Sequence, residues 1–240
     1  MPKVGKRTIA AREKVDSDQL YDPQQAVALV KGNATAKFDE TVELHLKTGL
    51  DGRHADQQIR GSVVLPHGIG REVRVLVFAE GEAANNASDA GADEVGADDL
   101  IEKVASGYLD FDVALAQREL MGKVGGLGRV LGPRGLMPNP RNNTVLPGED
   151  LARGVNEAKA GRVDFRLDRT NLVHCTIGKA SFTEAQLEGN LGAMISEILR
   201  ARPTGTKGPL LKGATLTSTM GPGVQMDINQ ILALGDENTS

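Results

Sequence analysis

The alternation of apolar and polar residues changes period several times along the chain, and each change predicts an element. In "DPQQAVALVKG" Ala26, Leu29 and Val30 fall on one helical face, with Asp22 as N-cap, Pro23 in the first turn and Gly32 as a stop. In "KFDETVELHLKTG" the period drops to two. After an irregular start at Phe38, residues Val42, Leu44 and Leu46 alternate with polar ones, as in a strand with one buried face. A polar loop, "LDGRHADQQIR", leads to a second strand, "GSVVLP", and to the turn-forming "PHGIG". From Arg71 the order is strand "EVRVLVFA", helix "EAANNASDAGA", strand "DEVG", helix "ADDLIEKVASG" and strand "FDVALA", which predicts a parallel βαβαβ sheet. A glycine- and proline-rich run and the helix "PGEDLARGVNEAKAG" follow. Strands "RVDFRLD" and "LVHCTIG" are then read as a hairpin across an "RTN" turn. The long helix "SFTEAQLEGNLGAMISEILRARP" has a capping residue at Ser181 or Thr183 and apolar Leu187, Leu191, Met194, Ile195 and Ile198 at helical spacing. A single strand, "GATLTSTMGPGVQMD", and a frayed acidic tail come last.

This order predicts an α/β protein of two domains. Residues 1–67 and 160–240 form a discontinuous α+β domain, and residues 68–159 form a Rossmann-like parallel-sheet domain inserted into it, with a double hinge near "PHGIG" and "AKAGR". Charge divides along similar lines. Residues 1–67 hold ten Lys/Arg and nine Asp/Glu, residues 68–160 ten and fifteen, and residues 161–240 eight and eight. The net charge of -4 is therefore concentrated in the middle, which a polyanion should avoid, while the flanks form a nearly neutral unit rich in cations.

Composition excludes several classes. Hydrophobic residues at 40% and charged residues at 25% suit a globular chain with a sizeable core. Aromatics are only 3%, with no Trp, so broad stacking platforms are poorly provisioned. The one cysteine, Cys175, can form neither an internal disulfide nor a zinc site with a second thiol, which suits a reducing cytosol. The basic "MPKVGKRTIAAREK" lacks the apolar segment of a secretory signal, and no run approaches the ~18 apolar residues of a membrane span.

Residues 125–140, "GGLGRVLGPRGLMPNP", carry five glycines, three prolines and two arginines and no acidic residue. A phosphate-binding P-loop needs a lysine and a hydroxyl after its second glycine, and both are missing here. "GGLGRV" imitates Gly-x-Gly-x-x-Gly, but Val130 occupies the third glycine position and the run follows "RELMGKV" rather than the first strand of a βαβ unit. The residues alone favour a rigid, turn-rich surface segment.

With "GRVLGPRGLMPNP" the chain resembles the signature segment of the ribosomal protein L1 family, the mobile stalk protein of the large ribosomal subunit. "TAKFDETVELHLKTGLD", "RGSVVLPHG", "AGADEVG", "FDVALA", "KAGRVDFRLD", "IGKASF" and "TSTMGPGV" resemble that family's segments in order, from residue 1 to about residue 227. The resemblance implies a first domain that supplies most of the affinity for large-subunit ribosomal RNA, and a Rossmann-like second domain with a secondary part in RNA contact. It further implies a cytoplasmic, non-enzymatic protein without cofactor or metal, monomeric off the ribosome. Its implied partners are large-subunit rRNA beside the tRNA exit site, deacylated tRNA leaving that site, and its own messenger, which it represses. The rival reading is an enzyme that binds a nucleotide on the parallel sheet.

"AKFDET" and "TSTMGP" look like the family's two recognition segments and offer Lys37, Phe38 and Thr41, and Thr217, Thr219, Met220 and Gly221. On a strand Thr217 and Thr219 would share a face and present hydroxyls to 2′-hydroxyls and phosphates, Met220 or Phe38 would pack on a sugar or base, and Gly221 would admit a close RNA backbone. The bland alternatives are that the threonines are ordinary strand formers and that Phe38 belongs to the core. Arg53, Arg60, Arg166 and Lys179 are candidate phosphate contacts, each otherwise a solvated charge. His174 is a further candidate contact. Its neighbour Cys175 should point to the opposite face and into the core, which rules out a nucleophile pair. Asp39/Glu40 and Asp98/Asp99 read as helix caps and surface charge. Three features depart from the family pattern: an acidic pI near 5.6, Gly126 where a lysine is expected, and Gly213 where some relatives carry a hydroxyl.

Overall fold

The computed structural model describes residues 5–206 and 208–237. The first four residues of the basic N-terminus and the last three of the acidic tail lie outside the described residues. The chain divides into two compact units, one made of the residues up to Gly70 and from Val163 onward, the other of Arg71–Arg162.

The first unit opens with helices α1 (Lys6–Glu13) and α2 (Pro23–Asn33). Pro23 starts α2 as expected, but Asp22 caps it with its carbonyl, which accepts from the Ala26 amide at 2.8 Å, and not with its side chain. Gly32 does not stop the helix, which runs to Asn33. Strands β1 (Thr41–Thr48) and β2 (Arg60–Val64) follow.

The second unit runs β3 (Val75–Phe78), α3 (Glu82–Asp89), β4 (Glu94–Gly96), α4 (Asp98–Ala105), β5 (Val113–Gln117), short helices α5 (Met121–Val124) and α6 (Gly128–Leu131), β6 (Val145–Leu146) and α7 (Leu151–Lys159). Its sheet is parallel throughout, in the order β4-β3-β5-β6. All four residues of β3 are buried, as both faces of such a sheet are covered. The glycine- and proline-rich run is not only surface. It winds through successive helical turns because Leu127 and Leu131 recur at helical spacing and bury against Val124, Leu120 and Phe78. Pro133 lies in the last of these turns, and left-handed Gly135 (φ 72°) ends it.

Back in the first unit, β7 (Arg162–Arg166), β8 (Leu172–Lys179), α8 (Glu184–Arg200), β9 (Leu211–Ser218), β10 (Val224–Met226) and α9 (Ile228–Glu237) complete the chain order. The main sheet is antiparallel, in the order β10-β9-β1-β8, and β2 pairs with β7 in a separate ribbon. Strands β7 and β8 are therefore not the expected hairpin. They meet only at the Leu167–Val173 bridge, where the Asp168 carboxylate accepts the Thr170 and Leu172 amides, each at 2.8 Å. Beyond it each strand takes another partner. Phe165 lies over Gly61 of β2, where a Cβ would stand 2.7 Å from the ring, while Val173, Cys175 and Ile177 bury beneath β8.

The last segment also differs from expectation. "GATLTSTMGPGVQMD" is two strands, β9 and β10, because Gly221-Pro222-Gly223 turns the chain back. The tail is helical through Glu237, with Ile231 buried and Gly235 close to Ile195 of α8. Thr183, not Ser181, caps α8 in a reciprocal box with Gln186. Asn190 on α8 is fully buried. It accepts from the His67 amide at 3.0 Å and donates to the carbonyls of Gly68 and Ile177, which fixes "PHGIG" on the first unit.

Helices cover one face of the main sheet. Val42, Leu44, Leu46, Val173, Cys175, Ile177, Ala214 and Leu216 point to that side and are at most 4% exposed. Burial pushes the Cys175 thiol up to about 12, so it is inert. The opposite face, with Glu43, His45, Lys47, His174, Thr215 and Thr217, is open to solvent. Among the described residues, no helix is long and apolar enough to cross a membrane.

Candidate nucleic-acid interface

Two segments distant in sequence meet where β1 begins and β9 ends. Val42 lies opposite Ser218, and Thr41 lies opposite Lys179 on the other side. The pairing continues past the strand end, where the Thr219 amide donates to the Thr41 carbonyl at 3.0 Å and the Thr41 amide to Thr219 Oγ1 at 2.9 Å. Lys179 Nζ donates to Thr41 Oγ1 at 2.8 Å. Lys37, Phe38, Thr41, Lys179, Thr217, Thr219, Met220 and Gly221 are thus brought together.

The residue that joins the two segments is Glu40, only 1% exposed. Its carboxylate accepts from the Ala36 amide at 2.8 Å, the Ser218 hydroxyl at 2.8 Å and the Met220 amide at 2.9 Å. Burial alone would raise its pKa, but these donors and the charge of Arg7 together hold it below the ordinary value. Asp39 adds a second tie, accepting the Ser181 amide at 3.1 Å and its hydroxyl at 2.7 Å. Glu40 is therefore not the surface charge expected of it. A signal was present: the inward phase of β1 at 42, 44 and 46, extended back, falls on residue 40.

Held this way, the turn exposes apolar surface. Phe38 is 54% and Met220 52% exposed, so Phe38 is not core and both can lie against a sugar or base. Other expectations change. Thr219 lies one residue beyond the strand, and its hydroxyl is taken up by the backbone of Thr41. Thr217 Oγ1 bonds the Ser218 carbonyl at 3.0 Å. Gly221 has a steric reason within the fold, because a Cβ there would stand 2.5 Å from Ser218 Oγ.

The other candidates lie elsewhere. β1 rises about 23 Å from Thr41 to Thr48, and Arg53 follows its far end. Arg166 flanks the same region with Gly52 and Gln58, and Arg60 begins β2 directly after Ile59, whose carbonyl accepts from Leu167. His174 stands midway, on the open face, and Cys175 points away from it into the core. Its Nδ1 lies 2.6 Å from that of His45 on the adjacent strand, an interaction the sequence reading missed. Burial, then the neighbouring His174, lowers the pKa of His45, against a smaller opposing pull from Glu43.

The second unit is poorly suited to a nucleotide phosphate. At the carboxyl ends of its strands, where such ligands bind, stand Glu80, Asp98 and Asp99. Lys123 is bound there to Asp98 at 2.8 Å and to Glu80 at 3.5 Å. Asp99 accepts from the amide of Ala97, the N-cap residue of α4, at 3.1 Å, and neither Asp98 nor Asp99 is itself the cap. Among the described residues, no group of three or more His, Cys, Asp or Glu side chains could hold a metal ion.

Comparison with known proteins gives a consistent result. The model of the "Ribosomal protein L1p/L10e family" matches residues 30–222. The chain is 55% identical over 229 residues to the "Large ribosomal subunit protein uL1" of Chloroflexus aggregans, covering 95% of this chain and 97% of that one. It is 55% identical over 228 residues to the protein of the same name from Chloroflexus aurantiacus, covering 95% and 96%. To that from Dehalococcoides mccartyi it is 52% identical over 231 residues, covering 96% and 98%.

Proposed function

The chain belongs to the ribosomal protein L1p/L10e family, and from that premise we propose that it binds large-subunit ribosomal RNA through the junction of β1 and β9. It is a structural protein of the large ribosomal subunit and not an enzyme. The observation that carries the RNA reading is the joining of two exposed apolar side chains, Phe38 and Met220, to one buried carboxylate, with Lys37 and Lys179 beside them. Folded RNA is recognised by unstacked bases laid on such side chains and by contacts to 2′-hydroxyls and phosphates. The lysines add a salt-dependent share of affinity. Arg53, Arg60 and Arg166, at the far end, would meet a different part of the same RNA.

The cluster belongs to the stalk beside the tRNA exit site, in the cytoplasm, where the stalk's movement accompanies release of deacylated tRNA. A messenger segment of similar shape would occupy the same residues and repress translation. The off-ribosome form is a monomer. The resemblance supports these assignments, and the RNA chemistry of the junction is compatible with them. Titration of the whole chain against a large-subunit rRNA fragment, with ATP and NAD as separate ligands, tests the reading. Saturable RNA binding that weakens steeply with salt is expected. Micromolar ATP or NAD binding without RNA binding would replace it with the enzyme reading.

A further inference from the structure

Two of the chain's four histidines, His45 of β1 and His174 of β8, stand directly opposite each other in the main sheet. Their Nδ1 atoms are 2.6 Å apart, and the rings meet edge to face with centroids at 4.9 Å. Each ring turns its other nitrogen toward a carboxylate. His45 Nε2 lies 3.7 Å from Glu43, and His174 Nε2 lies 3.8 Å from Asp168. Both rings line a solvent-open groove of about 950 Å³.

We propose that the His45–His174 pair is a binding site for a divalent transition-metal ion of the zinc class, held between the two Nδ1 atoms as a staple across β1 and β8. The proposal does not depend on the RNA reading. Imidazole nitrogen suits zinc, copper and nickel, whereas magnesium and calcium take oxygen. Here two such nitrogens converge from paired strands, so their separation is fixed by sheet register and not by a loop. Zinc–nitrogen bonds of about 2.0 to 2.1 Å at a tetrahedral angle place two nitrogens roughly 3.3 Å apart, about 0.7 Å more than the present spacing, which a small rotation of the side chains supplies.

The protons are accounted for. With Nδ1 facing Nδ1, one ring carries its proton there and donates to the other. Metal binding moves that proton, by exchange with water, to the same ring's Nε2. Both rings then present a bare Nδ1 to the metal and an Nε2–H to Glu43 or Asp168. A carboxylate at the far nitrogen fixes the tautomer of a ligating histidine and raises its basicity.

Two protein ligands are fewer than the three or four of a tight zinc site, and water takes the remaining positions, for which the groove has room. Lys47 and Lys212 also line the groove and oppose a cation. Lys47, however, is two residues along β1 from His45, about 7 Å by strand rise, whereas the two carboxylates flank the rings themselves. Asp227 in the groove wall adds a third negative charge against the two lysines. Because the unfolded chain does not hold the rings together, the ion stabilises the folded form.

The test uses the full chain, treated with chelator and dialysed, then titrated with zinc by calorimetry at pH 7.5. One equivalent should bind, and the thermal midpoint should rise with zinc concentration. His45→Asn and His174→Asn should each weaken zinc binding at least tenfold and abolish the rise in midpoint. Glu43→Gln should weaken it roughly tenfold, as loss of an outer partner does. His54→Asn, outside the groove, should bind as the wild type does. Copper(II) should bind the wild type more tightly than zinc and give an electron paramagnetic resonance spectrum coupled to two nitrogens. Wild-type zinc affinity in either His45→Asn or His174→Asn would overturn the proposal. So would a copper spectrum with fewer than two coupled nitrogens, or magnesium binding as tight as zinc, which would assign the ion to the carboxylates alone.

Discussion

Replacing Glu40 by Gln removes a charge, but hardly any volume, from the point that ties the two recognition segments together. Oε2 accepts two donors, Ser218 Oγ and the Met220 amide, and Oε1 accepts the Ala36 amide. A glutamine has one acceptor oxygen. Placed toward Ser218 and Met220, it keeps two bonds but loses their charge assistance, about 0.5 to 1.5 kcal/mol each. Its NH₂ then faces the Ala36 N–H, and the stranded donor costs about 1 to 3 kcal/mol. Burying a neutral amide is less costly than burying a carboxylate, which offsets part of this. The expected net loss is about 2 to 4 kcal/mol, a large share of the ~5 to 15 typical of a domain. Urea unfolding at pH 7 measures it. RNA affinity, taken where the variant remains folded, should fall because the segment from Ala36 to Phe38 is no longer tied to the residue that holds Met220. The pH dependence carries a sign. Because Glu40's folded pKa lies below its ordinary 4.5, its stabilisation is complete above that value and is lost as pH falls through the lower folded pKa. The gap between wild type and Glu40→Gln should therefore narrow in that acid range. A variant within about 0.5 kcal/mol of wild type at pH 7, or a gap constant into acid, would refute the reasoning.

Further tests separate fold from recognition. Thr219→Val should lower stability by about 1 to 3 kcal/mol, because it strands the Thr41 amide, while Thr219→Ser should retain most of it; equal unfolding midpoints for the two would show that the hydroxyl bond is idle. Gly221→Ala should displace Ser218 from Glu40 and lower both thermal midpoint and RNA affinity, and an unchanged midpoint in calorimetry would contradict the 2.5 Å approach. Lys37→Gln should flatten the salt dependence of RNA binding by about one unit, read from titrations at several salt concentrations, whereas an unchanged slope would remove it from the phosphate contacts.

The parallel sheet and the one-faced antiparallel sheet were legible because period two and period 3.6 are local properties of a sequence. Partner choice was not. Nothing within "RVDFRLDRTNLVHCTIG" says that β7 will leave β8 for β2, since the deciding contact, Phe165 on Gly61, lies a hundred residues away in the chain. The turn within "TSTMGPGVQMD" could have been read from Gly-Pro-Gly, but the alternating threonines made one long strand attractive. At the candidate site, residue types pointed to Thr219 and Met220, yet their geometry depends on Glu40. Charge suggested surface for that residue, and only its phase with Val42 and Leu44 spoke for burial. The His45–His174 pair is invisible in sequence for the same reason as β7: cross-strand register is set by the whole sheet.

The central claim is that RNA lies against the apolar side chains exposed where β1 meets β9. Its most direct test is the affinity of Phe38→Ala/Met220→Ala for a large-subunit rRNA fragment at fixed salt. Both side chains are about half exposed, so stability should change by less than about 1 kcal/mol. The account predicts that affinity falls at least tenfold with the salt slope retained, because packing is lost and no cation is. A folded double variant that binds RNA as tightly as the wild type would contradict it.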